Sequence, residues 1–237
     1  MTDSILRTAY DEVRQLCGAD AKSAASGEAI LHLATSALDF LLKQCQPIDL
    51  ISRVPGKQYV SFQKDNTVAR PANSAFFLKN LAVLTRLWKK WRTETISPTD
   101  FAKLAYTVAL APCLAMELFD RQNKKGPATF FECYIAHLFA QAVGVNPTKR
   151  VRLPVHGRNV LMTMDFLIDM GNRHRKVHLP VKMSTRERVV QAWAHQRLLD
   201  AAYGEGVYRG IMVLFAETKL DSRSLEVVEI CVPDQWL

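Results

Sequence analysis

Residues 159–188, NVLMTMDFLIDMGNRHRKVHLPVKMSTRER, constrain the fold of this chain more than any other stretch. Positions 160–169 are rich in β-branched and other apolar residues, Gly171-Asn172 is strong turn chemistry, and 175–183 alternates again, so the segment predicts a β-hairpin. With the turn centred between Asn172 and Arg173, Asp165 pairs with Pro180. Side chains alternate faces along a strand, so Lys182 shares the face of Pro180 and comes within reach of the Asp165 carboxylate. An acid and a lysine thereby meet on one side of the hairpin. Ser184-Thr185-Arg186-Glu187 then fits a capping box, with Ser184 as N-cap and Glu187 at N3 of a helix running to about Tyr203, before Gly204. The triplet Arg186-Glu187-Arg188 is thus fixed on a first helical turn.

The rest of the chain reads as elements packed around that unit. Helical spacing of Ile5, Leu6, Tyr10, Val13 and Leu16, and of Ile30, Leu33, Ala37, Phe40 and Leu41 after Ser26-Gly27-Glu28, predicts two helices over 4–45. Residues 46–71 are turn-rich. Tyr59-Val60-Ser61-Phe62 fits a short strand there, and with Lys57, Lys64 and Arg70 nearby the stretch is either a connector or a DNA-contacting loop. A helix over 73–92 carries Phe76, Phe77, Leu81, Leu84 and Trp88 and ends in Lys89-Lys90-Trp91-Arg92, cations that suit a helix C-terminus and equally suit a phosphate. Ser97-Pro98 starts a helix to about Asp120 that is apolar nearly all round and contains Pro112, which predicts a buried, kinked packing element. Gly126-Pro127 starts another over 128–143, closed by Gly144, with Glu132 one turn in among Phe130, Phe131 and Tyr134. The apolar runs 207–216 and 225–232 read as strands, the first covered on both faces. Together these predict an α/β fold, a mixed central β-sheet flanked by helices with a helical N-terminal part. Residues 1–120 form that part and 121–237 the core.

Composition narrows the partners. At 237 residues with 49% apolar content the chain buries a proper core and is not disordered. The formal charge is +8, and residues 149–188 hold ten Lys or Arg against only Asp165, Asp169 and Glu187, a surface that is either solvated or turned toward a polyanion. Cys17, Cys45, Cys113, Cys133 and Cys231 are scattered without a C-x-x-C pair, which argues for a reducing compartment and against a zinc cluster. No signal-peptide pattern opens the chain and no apolar run reaches the roughly 18 residues that span a bilayer. A soluble, cytoplasmic protein with no membrane partner is expected.

An Asp on one strand, a Lys on the next and an Arg-Glu-Arg triplet four residues beyond that Lys resemble the PD-(D/E)xK nuclease core. Within that superfamily, Lys182-Met183-Ser184-Thr185-Arg186-Glu187-Arg188 is similar to the K-x-x-x-R-(D/E)-R motif of type II restriction endonucleases that read CCGG or CCNGG sites. The resemblance implies that 121–237 is the catalytic core, with 1–120 packed on it for dimerisation or DNA contacts. It implies a homodimer on double-stranded DNA, making Mg²⁺-dependent double-strand cuts at a short palindrome containing CC/GG. Asp165 is then the central Mg²⁺ ligand, and Lys182 orients or deprotonates water and stabilises the transition state. The acid usual two residues before the Lys is Pro180 here. Restriction enzymes of the CCGG group supply a Glu from the following helix instead, where this chain has His195 and Gln196. Both are polar and suit a metal or its water shell, but neither carries negative charge. Either the second metal site is weak or Glu132, on an early helix as in the superfamily, supplies the missing carboxylate. A Glu favoured by the helix dipole is the other account of Glu132.

Each motif also has a plainer reading. Apart from the resemblance, Asp165 and Lys182 are a half-exposed ion pair, and Arg186-Glu187-Arg188 is a charged first turn with Glu187 engaged in capping. With it, Arg186 and Arg188 donate in pairs to guanine O6 and N7 and Glu187 accepts from cytosine N4, the tools for reading adjacent C·G and G·C pairs in the major groove. Two competing functions stand beside restriction: a DNA-binding or regulatory protein that keeps the nuclease fold without cutting, and a repair-type nuclease of the same superfamily.

Overall fold

Apolar residues at helical spacing fold the beginning of the chain into α1 (Thr2–Asp20) and α2 (Ala24–Gln44). The computed structural model describes residues 2–155, 157–171, 176–184, 188–215 and 218–229. Ser23 accepts from the Ser26 amide at 3.1 Å and so caps α2, which begins two residues ahead of the Ser26 start expected from sequence. The chain forms two compact units, one containing Met1–Gln15, Gly27–Phe130 and Glu217–Leu237, the other Leu16–Ser26 and Phe131–Ala216. The path passes from one unit to the other and returns.

In the first unit, the stretch read as a connector forms sheet. β1 (Gln46–Ser52) pairs antiparallel with β2 (Tyr59–Lys64), which also pairs with β3 (Thr67–Val68) and β4 (Ala72–Asn73). Tyr59, Val60 and Phe62 are buried, and Ser61 is tolerated among them because its hydroxyl donates to the Ala69 carbonyl at 2.6 Å. The helix expected from residue 73 begins later, as α3 (Leu81–Thr93), because Asn80 caps it by accepting from the Val83 amide. In α4 (Pro98–Phe119), Ser97 accepts from the Asp100 amide at 3.1 Å and Pro98 occupies the first turn, as expected. Its length and composition match a membrane span, yet 67% of its apolar window is buried inside the fold.

The second unit builds the hairpin. α5 (Gly126–Val143) ends at Gly144, whose φ of 73° suits glycine. It leads to β5 (Thr148–Val155) and β6 (Arg158–Ile168), an antiparallel pair. Next come β7 (Lys176–His178), β8 (Val181–Lys182), α6 (Arg188–Tyr203), β9 (Tyr208–Gly210) and β10 (Val213–Leu214). The order is β5-β6-β7-β9, with β10 on β8, and β9 and β10 run parallel to their partners. Amides of Ile211 and Val213 donate to the carbonyls of His178 and Pro180, so the pairing continues across the break between β7 and β8. Two strands joined by the α6 crossover thus lie beside the hairpin. Val151, Leu153, Met164, Leu167, Leu199 and Tyr208 form the core.

Two strand assignments change. The run 207–216 is not covered on both faces: Arg209, Gly210 and Ile211 are exposed. The last described strand, β12 (Glu226–Glu229), joins the first unit's sheet, antiparallel to β11 (Thr218–Asp221) and parallel to β1. Val227 buries there against Leu50 and Tyr59, a partner set that an apolar run does not reveal.

Candidate active site

Strand pairing places the acid and the lysine. β6 and β7 set Leu167 opposite His178 and Ile168 opposite Val177, the register that brings Asp165 level with Pro180. Pro180 has no N–H for the ladder. The next amide, Val181, donates instead to Asp165 Oδ2 at 2.9 Å, and Lys182 Nζ lies 2.7 Å from Oδ2 and 3.0 Å from Oδ1. The carboxylate therefore completes the sheet where proline interrupts it, and holds the lysine at the same time. The two side chains are 19% and 11% exposed, so their charge-assisted bonds act in a medium less screened than water.

α6 contributes two neighbours to this pair. Gln196 donates through Nε2 to Asp200 Oδ1 and to the Tyr208 carbonyl, both at 2.9 Å, and its Oε1 faces His178 Nδ1 at 3.0 Å. With both amide protons committed, Oε1 is the acceptor and His178 Nδ1 carries the proton. Gln196, expected near a metal or its water shell, is instead engaged in fixing a histidine. His178 is 1% exposed, and its Nε2 has no partner. The His195 ring lies with its centroid 6.2 Å from that of His178. Burial lowers the pKa of His178, against a hydrogen bond to Gln196 that raises it. Burial also lowers that of His195, with Asp165 opposing and Lys182 reinforcing the shift.

His178 is a site neighbour that no sequence motif marks. It lies two and four residues before Pro180 and Lys182, and strand alternation alone puts it on their face.

The structure keeps Glu132 with other partners. Lys149 Nζ donates to it at 2.8 Å and lies 4.8 Å from the centroid of the Phe166 ring. Phe166 and Asp165 are adjacent on β6 and point to opposite faces, so Glu132 is held on the side away from the Asp165 carboxylate. Among the described residues, no three His, Cys, Asp or Glu side chains gather as a metal cluster. Arg186 and Glu187, and with them the expected capping box, lie outside the described residues; Arg188 opens α6, and its side chain is likewise outside. Arg150, Arg152 and Arg158 line the exposed part of β5 and β6.

No protein-family model matches the chain, and no curated protein matches it. The fold is that of the restriction endonucleases, a mixed α/β arrangement with its sheet flanked by helices. It is similar to a solved structure, the crystal structure of Type IIP restriction endonuclease Kpn2I, with a TM-score of 0.80, 22% identity, and coverage of 99% of this chain and 82% of that one. At that identity the likeness is one of fold.

Proposed function

We propose that the chain is a type II restriction endonuclease, a cytoplasmic homodimer that makes Mg²⁺-dependent double-strand cuts at a short palindrome containing CC/GG. The observation that carries this reading is the Asp165–Lys182 pair, held on adjacent strands of a restriction-endonuclease fold. The donor chemistry fits a hard divalent cation: Asp165 offers the carboxylate oxygens that such an ion prefers, next to the Lys182 ammonium. Asp165 would hold Mg²⁺, which supplies an activated water and charge neutralisation at the phosphate. With Glu132 held by Lys149 on the other side of β6, the second metal position would be weak. Lys182, released from Asp165 when the ion binds, would stabilise charge on the attacked phosphate. Arg186, Glu187 and Arg188 read the bases, and the exposed arginines of β5 and β6 contact phosphates. Val190 and Trp193 on α6, 53% and 54% exposed, offer apolar surface to a second copy.

A plasmid digest tests this. Wild type should give discrete bands only with Mg²⁺, and Asp165→Ala or Lys182→Ala should abolish them while binding in Ca²⁺ persists. Cleavage by either variant at the wild-type rate overturns the assignment. The single carboxylate favours a second reading, a DNA binder that does not cut, and intact plasmid with a gel shift would select it.

A further inference from the structure

We propose that the cleft between α3 and α4 binds a small organic phosphomonoester, a phosphate of charge about −2 attached to a body of nucleoside size. The first observation is the charge of the walls. Along α3, Val83, Arg86, Leu87 and Lys90 follow at i, i+3, i+4 and i+7 and form one stripe, and Asp100 and Lys103 of α4 line the same cleft. Three cations against one carboxylate leave these walls with a net charge of +2. Among the described residues, no ion pair or hydrogen bond engages the side chains of Arg86, Lys90 or Lys103.

The second observation is that helix electrostatics account for only part of this set. Lys90 lies in the last turn of α3, where the dipole favours a cation, and Asp100 in the first turn of α4, where it favours an acid. Arg86 and Lys103 have no such support. Arg86 stands at i, i+4 from Lys90, a like-charge spacing that destabilises a helix, and α3 contains no acidic residue to offset it. Lys103 sits beyond the first turn of α4, past the reach of the dipole. A bound dianion relieves the repulsion and gives all three cations a partner.

The third is the frame. The cleft has a volume of about 350 Å³. Clefts of roughly 300–1,000 Å³ take ligands of small-molecule size, so the space exceeds what a bare phosphate fills. Val83 and Leu87 offer apolar surface to the organic body. Lys90 and Lys103 are half-buried, so their charge is less screened than on an open surface. Trp91 and Phe101, which follow Lys90 and Asp100 in the chain, pack with ring centroids 6.0 Å apart, and the Leu78 amide donates to the Thr107 hydroxyl at 2.9 Å. Both helices are therefore fixed beside the cleft before any ligand arrives.

Calorimetric titration of the full, metal-free chain with 2′-deoxyadenosine 5′-monophosphate tests the site. Wild type should bind this nucleotide, bind inorganic phosphate more weakly, and leave deoxyadenosine unbound. Lys103→Ala and Lys90→Ala, checked for folding by circular dichroism, should each weaken the nucleotide about tenfold, the loss of one charge-assisted hydrogen bond. Asp100→Asn should tighten it, because the one opposing charge in the cleft is removed. Lys182→Ala, which deletes the phosphate contact expected at the Asp165 site, should bind as wild type does. Lys103→Ala should still cut plasmid, so the cleft and the nuclease reading fail separately. Absence of binding by wild type, equal affinity for the nucleotide and for inorganic phosphate, or binding of deoxyadenosine would each overturn the proposal. So would unchanged affinity in folded Lys103→Ala and Lys90→Ala, weaker binding by Asp100→Asn, or a tenfold loss in Lys182→Ala.

Discussion

At the scale of single residues, the Asp165–Lys182 contact was legible because it needs only the parity of two strands and the position of one turn. Gln196 was not. Its role depends on how far α6 is rotated and on the Tyr208 carbonyl of a strand that arrives later in the chain. Adjacent helix positions point about 100° apart, so His195 and Gln196, equivalent in sequence, meet different partners. A pH dependence follows from His178. Burial holds its pKa below the ordinary 6.5, so below that pH the unfolded chain binds more protons than the folded one. Stability from this ring is complete above about pH 6.5 and is lost as the pH falls below it. The melting temperature of metal-free protein should fall between pH 7.5 and 5, and His178→Gln should flatten that slope. Parallel curves for the two proteins would assign the dependence to other groups. Arg186 and Glu187 remain legible in the sequence alone, since they lie outside the described residues.

Among the elements, α4 was the most readable, because its start combines a serine cap with a first-turn proline and its interior is almost uniformly apolar. Ser97→Ala should cost about 1 kcal/mol through the lost bond to the Asp100 amide. Denaturant titration reads this directly, and a loss below a few tenths would show that Pro98 alone sets the helix start. β5 was harder to see. Val151 and Leu153 alternate with Arg150 and Arg152, a period-two signal, but prolines at either end and dense positive charge make the segment resemble a loop. The stretch 46–71 misled for a similar reason: turn residues separate strands too short to show alternation, and burial of Tyr59, Val60 and Phe62 is decided by what packs over them.

For the molecule as a whole, the mixed α/β architecture was readable from the succession of hairpin, helix and strand. The grouping of segments into compact units rests on contacts between distant segments, about which periodicity carries no information. Function on duplex DNA is tested at this scale. If Arg186 and Arg188 each hold a guanine, Arg186→Ala and Arg188→Ala should lose about 1–3 kcal/mol of discrimination between the specific duplex and one with its CC/GG pairs swapped. Nonspecific affinity at low salt should persist. Equal losses on both duplexes in a competition gel shift would place these arginines on a general basic surface.

The parallel pairing of β1 with β12 joins Ile51 to Glu226 and Ser52 to Val227. On a ribosome, one edge of β1 must wait through the synthesis of the whole second unit before its neighbour emerges. The unit that begins first is therefore completed last. Throughout that interval an unpaired strand edge is open to other nascent chains, and crowding by its own kind is a hazard for the newborn protein.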